Sequence, residues 1–314
     1  MKAITAVKPS DGFERWHQVT CRSYSTTECR PIVDRRFRGQ ITIRELGPLA
    51  ISALATSSPP DENIRVTRGS EEIRRDPRDY FMLWLMLEGR ISLAQNGRST
   101  LMGAGDLFIY DQSKPFVLDF GPRHRALMVT IPRPLFTARS PFAHQFGGRR
   151  IAGSSSLAAL AGSLVHQLHR LEDTTSEDVA YRLGASALDM LVTIIDAEAD
   201  PLFGSTGHQR RLAKAKQYML ANLEDPDLDL DRIANAQDMA PRTLYRLFAA
   251  EGTTPIRWLW QQRLAAGFKA LAEGTATQVT DAALSCGFSD VSHFSRTFRA
   301  AFGQSPRVFK PRRR

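Results

Sequence analysis

The feature that most restricts the fold of this chain is a helical pattern that occurs twice in its last third. The first copy covers residues 228–248 and the second covers residues 279–298. Each copy begins with a short helix that carries small residues on its packing face, and each ends in Arg-x-Phe on a second helix. Small residues let two helices cross closely around a tight turn, which is the geometry of a helix-turn-helix. We therefore predict two helix-turn-helix units.

Each predicted turn has a residue placed to take a positive φ angle. Gly287 takes this conformation at no steric cost, whereas Asp238 at the equivalent place tolerates it less well. Between the two copies, residues 255–273 form one predicted helix. A rigid connector matters because two recognition helices enter successive major-groove faces only when they are held about 34 Å apart.

The starts of the two second helices are also predicted. Pro241 suits the first position of its helix, although Ala240 before it is a poor cap. In the second copy, Ser289 is the expected N-cap, and Asp290 is expected in the first turn, where the helix dipole favours an anion.

Positive charge is concentrated in the same third. Residues 208–314 hold 17 Lys+Arg and 10 Asp+Glu, a net charge of +7 within a chain of +9. Such asymmetry favours a polyanion partner, most often nucleic acid. A well-solvated basic surface gives the same count, so charge alone leaves both interpretations open.

The C-terminal third resembles the AraC/XylS family of bacterial transcription regulators. The most specific stretch is GFSDVSHFSRTFRAAFGQSP at 287–306, and RTLYRLF at 242–248 and QRL at 262–264 agree as well. Asp238 and Ala240 depart from the glycine and serine that are commoner in the family. The resemblance implies a regulator that binds promoter DNA, and activation through RNA polymerase rather than repression.

Residues on the outward face of each second helix are the candidates for contact with DNA. By analogy with the family they approach base edges, where arginine pairs with guanine and gives ~1–3 kcal/mol of discrimination. The alternative for each arginine is a phosphate contact or a solvated helix face. The candidates are Arg242, Tyr245, Arg246, Val291, Ser292, His293, Ser295 and Arg296.

Upstream, short runs of β-forming residues alternate with Gly, Pro and Asn-Gly breakers, which indicates a sandwich or barrel. Strands are predicted at 41–45, 49–56, 64–68, 80–87, 91–95, 107–110 and 126–131. Residues 80–89, 96–98, 103–106 and 110–111 are similar to the cupin-like effector-binding domains of the same family.

The predicted fold is therefore α+β, in three parts. Residues 1–199 form a cupin-like antiparallel β barrel with two packing helices, which binds an effector or mediates dimerisation. Residues 200–207 form a linker, since they hold one Pro, two Gly and small hydroxyl residues. Residues 208–314 form an all-α domain with two helix-turn-helix units.

Two apolar stripes precede the linker, one near Leu157–Leu171 and one near Leu183–Ile194, each with residues at alternating spacings of four and three. This period favours packing of helix on helix. The partner is either the β barrel of the same chain or a second copy, which would make the protein a homodimer. Both interpretations stay open.

The predicted strand at 80–87 has a face of mixed chemistry. Tyr80, Met82, Trp84 and Met86 share it and suit a small amphipathic or aromatic effector. Core packing explains the same face equally well, so the ligand-binding residues stay unassigned. The conceivable partners for an effector carboxylate are Arg65, Arg68 and Arg125.

An enzyme is the alternative from another class, namely a cupin-type enzyme with an appended DNA-binding domain. A metal cupin needs several histidines on neighbouring strands, and residues 41–131 contain only His124. The chain has no P-loop, nucleophile elbow or dinucleotide fingerprint. We therefore expect no catalytic residue, metal or cofactor. A nucleoid-type DNA-packing protein is a third option, and the separate β domain argues against it.

The sequence also predicts where the protein is located. The longest uninterrupted apolar run, 81–87, is far short of the ~20 residues that a bilayer requires. The N-terminus lacks the apolar segment of a secretory signal. Three cysteines without metal-ligand spacing fit a reducing compartment. We expect a cytoplasmic protein without membrane contact.

Overall fold

A computed structural model describes most of the chain. The described residues are 3–7, 11–29, 37–59, 63–140, 146–171, 176–203, 207–250, 253–302 and 305–309. The chain forms two compact units. Unit 1 contains residues 1–136 and 145–198, and unit 2 contains residues 137–144 and 199–314.

Unit 1 is built on an antiparallel sheet in the order β1-β3-β4-β9-β6-β8-β10. β5 pairs with the first part of β9 and also with β2, while β7 pairs with β6. The strands are β1 Ala3–Val7, β2 Glu28–Cys29, β3 Arg38–Leu46, β4 Leu49–Ser57, β5 Ile64–Arg68, β6 Tyr80–Gln95, β7 Arg98–Met102, β8 Leu107–Asp111, β9 Phe116–Pro132 and β10 Arg149–Ile151.

Two long strands hold this sheet together. β6 and β9 pair from Tyr80 opposite Pro132 to Gln95 opposite Phe116. The sequence predicts β6 as two strands, because the polar residues around Gly89 resemble a turn. Gly89 instead lies at an irregularity of the pairing with φ +83°, and a Cβ there would lie 2.0 Å from the Arg123 carbonyl oxygen. The strand bends at this glycine without ending.

Helices cover the sheet of unit 1. They are α1 Gly12–Ser23, α2 Ser70–Arg75, α3 Arg133–Thr137, α4 Ser156–Arg170 and α5 Glu177–Phe203. α4 and α5 contribute Leu168, Ala180 and Ala187 to a core shared with Leu46 of β3 and Ile51 of β4. The two predicted packing helices are thereby confirmed, whereas α1 is not predicted by the sequence analysis.

The two faces of the first half of β6 pack against different parts of unit 1. Met82, Trp84 and Met86 point into the main core of the sheet, together with residues of α1. On the other face, the ring of Phe81 packs against Phe136 of α3. Leu85 lies so close to α4 that a Cβ at Gly162 would be 3.2 Å from it.

Unit 2 contains the helical domain. Its helices are α6 Gly207–Ala221, α7 Leu230–Ala236, α8 Pro241–Ala249, α9 Pro255–Ala272, α10 Val279–Leu284 and α11 Val291–Phe302, followed by a short 3-10 helix at Pro306–Phe309. The antiparallel β domain and the all-helical C-terminal domain confirm the predicted fold class.

The predicted linker differs from the structure in its first half. α5 continues through residues 200–203, and α6 begins at Gly207. Residues 204–206 lie outside the described part of the chain. None of the described helices is both long enough and apolar enough to cross a membrane.

Candidate nucleic-acid interface

The two copies of the helical pattern form the same turn. The backbone N–H of Met239 donates to the Ala234 carbonyl oxygen over 2.9 Å, and that of Phe288 donates to the Ala283 carbonyl oxygen over 3.1 Å. Ala234 and Ala283 are fully buried, as the predicted close crossing of the helices requires. Both predicted helix-turn-helix units are therefore present.

Both turns take the predicted positive φ angle, which is 49° at Asp238 and 75° at Gly287. Gly287 is also required by its surroundings. A Cβ at this position would lie 2.5 Å from the Leu223 carbonyl oxygen and 2.9 Å from Nε of Arg263. Any larger residue must therefore displace the chain that connects α6 to α7.

The caps of the two second helices differ. Asp290 caps α11, because its carboxylate accepts hydrogen bonds from the backbone N–H groups of Ser292 (2.8 Å) and His293 (3.2 Å). The predicted cap, Ser289, is wrong by one residue, since α11 begins at Val291. The carboxylate also lies at the positive end of the helix dipole, where it is stabilising.

α8 begins without a capping side chain. Pro241 is its first residue, as predicted, and Ala240 occupies the N-cap position without a side-chain hydrogen bond. This helix is instead anchored by its buried face, which is formed by Leu244, Leu247 and Phe248.

The predicted DNA-contact residues lie away from the buried faces. On α8, opposite the buried residues, Arg242, Tyr245 and Arg246 are exposed. On α11, where Phe294 and Phe298 are buried, most of the predicted set is exposed as well. The exposed residues of α11 are Ser292, His293 and Arg296, and the half-buried ones are Val291 and Ser295.

Two residues of α11 have a packing role beside their predicted one. Val291 packs against the core of the second helix-turn-helix unit. The His293 ring lies edge-on to Trp260 of α9, with ring centroids 5.4 Å apart, and 5.7 Å from the ring of Phe288. The orientation of His293 is therefore set by these aromatic rings.

α9 joins the two helix-turn-helix units, because each half of this helix belongs to a different core. Trp258 and Leu259 pack in the first core with α6, α7 and α8. Leu264 and Leu271 pack in the second core with α10 and α11. One continuous helix thus fixes the position of one recognition helix relative to the other.

A buried cation, Arg263, reinforces this junction and is not among the residues predicted from the sequence. The Arg263 guanidinium donates to the carbonyl oxygens of Leu223 and Asp225 and lies 4.8 Å from the Trp260 ring. Burial lowers its pKa from the ordinary value. The signal that identifies this contact is the spacing of three between Trp260 and Arg263 on one helix, which places both side chains on one face.

His124, the histidine that a cupin-type enzyme would use, has a structural role. His124 is buried on β9 with Nδ1 2.7 Å from the Thr56 hydroxyl oxygen, and burial lowers its pKa to about 3. Among the described residues, no group of three or more His, Cys, Asp and Glu side chains is arranged to hold a metal ion.

A β domain followed by a domain with two rigidly joined helix-turn-helix units defines a DNA-binding transcription regulator. Comparisons agree with the geometry. The model of the AraC-binding-like domain matches residues 16–195, and a helix-turn-helix domain model matches residues 233–312. The chain belongs to the AraC family of transcription regulators and is not an enzyme, so the alternative of a cupin-type enzyme is wrong.

Relatives support the same assignment. The transcriptional activator NphR of a Rhodococcus species is 31% identical over 304 residues, which is 96% of this chain and 89% of NphR. The transcriptional activator RhrA of Rhizobium meliloti is 32% identical over 48% of this chain and 46% of its own length. The crystal structure of the AraC-like transcriptional activator CuxR has the same fold, with a TM-score of 0.53, 19% identity and coverage of 87% of this chain and 96% of CuxR.

Proposed function

We propose that this regulator is a transcriptional activator that reads promoter DNA with α8 and α11 and responds to a small molecule bound in its β domain. The observation that carries the DNA part is the position of Arg242, Arg246 and Arg296. All three are exposed on helices whose opposite faces are fixed in buried cores. The activating role rests on the similarity to NphR, which is described as a transcriptional activator.

The proposed contacts fall into two kinds. Arg242 and Arg296 read base edges, because a guanidinium donates two parallel hydrogen bonds to guanine. Arg246 holds a phosphate, which adds affinity but reads no sequence. The remaining residues complete the surface, Tyr245, Ser292, His293 and Ser295 through polar contacts and Val291 through a thymine methyl group.

Regulation requires that the effector bind one state of the protein more tightly than another. Its effect on transcription is limited to that difference in affinity. The proposal further includes contact of the DNA-bound regulator with RNA polymerase, action in the cytoplasm where the promoter lies, and a homodimer.

The test is a footprint on the promoter region of the neighbouring genes at physiological salt. Arg242→Ala and Arg296→Ala are each expected to weaken protection roughly 5- to 150-fold, as the loss of one base contact does. Both variants should bind a scrambled fragment nearly as the wild type does. Arg246→Ala should weaken binding to both fragments. It should also reduce the slope of log affinity against log salt concentration by about one.

The charge-matched control is Arg75→Ala, which removes one exposed cation from α2 of unit 1. It should leave protection unchanged. Wild-type protection by both the Arg242 and the Arg296 variants would contradict the assignment of α8 and α11 as the reading helices.

A further inference from the structure

The core of unit 1 contains a narrow cavity between α1 and the inner face of the sheet. Its volume is about 50 Å³. Aromatic rings form much of its wall, among them Trp16 of α1, Trp84 of β6, Tyr110 of β8 and Phe120 of β9. These aromatic walls favour a flat ring with few substituents, and such a ring enters only when the walls move apart, because a cavity that binds benzene has a volume of about 150 Å³.

Hydrogen-bond donors line this cavity without partners. Nε1 of Trp16, Nε1 of Trp84 and the hydroxyl of Tyr24 are buried, and no hydrogen bond to them is formed within the described part of the chain. These residues are only 2%, 3% and 9% exposed. Ser52 lies near the Tyr24 hydroxyl and Tyr110 near the Trp84 indole, close enough to affect the tyrosine pKa values but not in hydrogen-bonding geometry.

Buried donors without partners are costly, and an indole N–H can only donate. The complementary ligand therefore presents acceptors. A second polar group lies beside them, since Ser25 Oγ donates to Gln112 Oε1 over 2.9 Å and Gln112 Nε2 donates to the Tyr110 hydroxyl over 3.2 Å. Ser25, Gln112 and Tyr110 are thus linked to one another, whereas the two indoles and Tyr24 are left without a hydrogen-bond partner among the described residues.

The described part of the cavity wall offers no cation to an anionic effector. None of the lining residues that the structure describes is charged. Each arginine considered as a carboxylate partner is engaged elsewhere. Arg68 donates to the backbone carbonyl oxygens of Thr26, Asp76 and Gln112. Arg65 and Arg125 are largely exposed and lie near Asp119 and Glu88.

Burial also keeps the cavity neutral. It raises the pKa of the Tyr24 and Tyr110 hydroxyls well above the ordinary value, so both stay protonated at physiological pH. A carboxylate that entered this space would lose its hydration without gaining a counter-charge from the described lining residues.

We propose that the effector is an uncharged molecule with a single aromatic ring and at least one hydrogen-bond acceptor, held in this cavity by Trp16, Tyr24 and Trp84. The inference rests on the proposed function, because it names the chemical class that the proposed effector site takes.

The experiment compares isosteric probes on the full chain by indole fluorescence and calorimetry. Benzamide and acetophenone are the neutral probes, benzoate is the charged counterpart, and cyclohexanecarboxamide lacks the aromatic ring. We expect at least one of the neutral aromatic probes to bind at least 100-fold more tightly than benzoate and at least 10-fold more tightly than cyclohexanecarboxamide. Benzoate binding equal to or tighter than both neutral aromatic probes would overturn the proposal, as would no saturable binding of either neutral probe.

Variants locate the site. Tyr24→Phe keeps the ring and removes one hydrogen-bond donor, so it should lower the affinity for the probe about 5- to 10-fold. Trp84→Phe should lower the affinity to a similar extent. Arg65→Ala and Arg125→Ala are controls and should bind the probe as the wild type does. If both donor variants keep wild-type affinity, the cavity is not the site and the proposal is wrong.

The promoter footprint is recorded on the same preparations without any probe. Tyr24→Phe should leave it intact, since the variant does not alter α8 or α11. Discrete protection together with failure of the neutral probes would refute the effector class alone. Loss of discrete protection in the wild type would refute the proposed function itself.

Discussion

Asp238 keeps a backbone conformation that is unfavourable for any residue with a side chain. Its φ of 49° matches the φ of 75° at Gly287 in the second turn. The left-handed region costs an L-residue roughly 1–2 kcal/mol, less for aspartate than for most. The first helix-turn-helix unit therefore folds in spite of its turn residue, through the burial of Leu244, Leu247 and Phe248.

Replacing this aspartate should consequently stabilise the helical domain. Asp238→Gly removes the strain and adds flexibility to the unfolded chain, which offsets part of the gain. We expect the free energy of unfolding to rise by roughly 0.5 kcal/mol, measured by chemical denaturation. The control Asp238→Ala keeps a Cβ and should destabilise the domain. A lower stability of the glycine variant would show that the aspartate side chain itself supports the turn.

For single residues, the sequence predicts the backbone conformation of the turns better than the position of a helix cap. The positive φ at Asp238 and Gly287 is predicted correctly because the two copies align there. The cap of α11 is placed one residue early, because Ser289 and Asp290 are both good capping residues and the choice depends on where the helix starts. The packing of His293 on Trp260 was missed, since it joins two helices far apart in sequence.

α4 and α5 show that one apolar stripe can serve two surfaces. Leu168 and Ala187, taken from the two predicted stripes, are buried against β3 and β4 of the same chain. Leu183 and Met190 on α5 are instead 38% and 43% exposed. They are seven residues apart and share a face of the helix. This outer face is the part of the stripe that supports the proposed homodimer.

The dimer is tested by a charge on this outer face. Leu183→Asp combined with Met190→Asp should convert the protein to a monomer in sedimentation, because two carboxylates would be buried in an apolar contact. DNA affinity should fall in the same variant. Leu101→Asp is the matched control, since Leu101 is 58% exposed on β7 and should leave the sedimentation unchanged. Sedimentation of the double variant as wild type would remove α5 from the interface.

Long-range pairing limits what the sequence predicts about strands. The alternation in the first half of β6 groups Met82, Trp84 and Met86 on one face, as the structure has them, because alternation is a local property. The continuity of β6 through Gly89 and the early part of β9 are missed, since a bulge and a turn look alike in one strand. α1 is missed too, although its buried residues Phe13, Trp16 and Val19 recur every three positions.

The acid stability of the whole molecule depends on a group inside unit 1. The pKa of His124 is lowered to about 3 by burial, whereas in the unfolded chain it has its ordinary value of about 6.5. The unfolded state therefore binds more protons between these two pH values. The contribution of His124 to stability is therefore largest above pH 6.5 and falls as the pH decreases toward 3, by at most about 1.4 kcal/mol per pH unit.

Replacement of His124 should flatten this dependence. Between pH 7 and pH 5 the wild type is expected to lose up to about 2 kcal/mol more unfolding free energy than His124→Gln. Glutamine stays neutral and keeps a polar group near Thr56. Denaturant titrations of both proteins at the two pH values measure the difference. Equal losses would show that the imidazole is accessible to protons in the folded state.

The general organisation of the molecule is the best predicted property. The repeated helical pattern, the local charge of +7 and the β-forming runs each specify a domain without knowledge of contacts. The cavity proposed for the effector is different. It exists because α1 closes over the inner face of the sheet, and Trp16, Tyr24 and Trp84 meet there from separate parts of the chain. No local pattern contains that arrangement, so the residues proposed to hold the ligand are visible only in the structure.

The single helix shared by both cores has a consequence for how promoters under this regulator evolve. A base substitution within a recognised site costs roughly 1–3 kcal/mol and leaves the other site untouched. An inserted base pair turns one site by about a tenth of a helical turn relative to the other, and α9 cannot follow because its two halves are packed in different cores. The DNA sites that this protein binds should therefore vary in base sequence, while the number of base pairs in each site stays fixed.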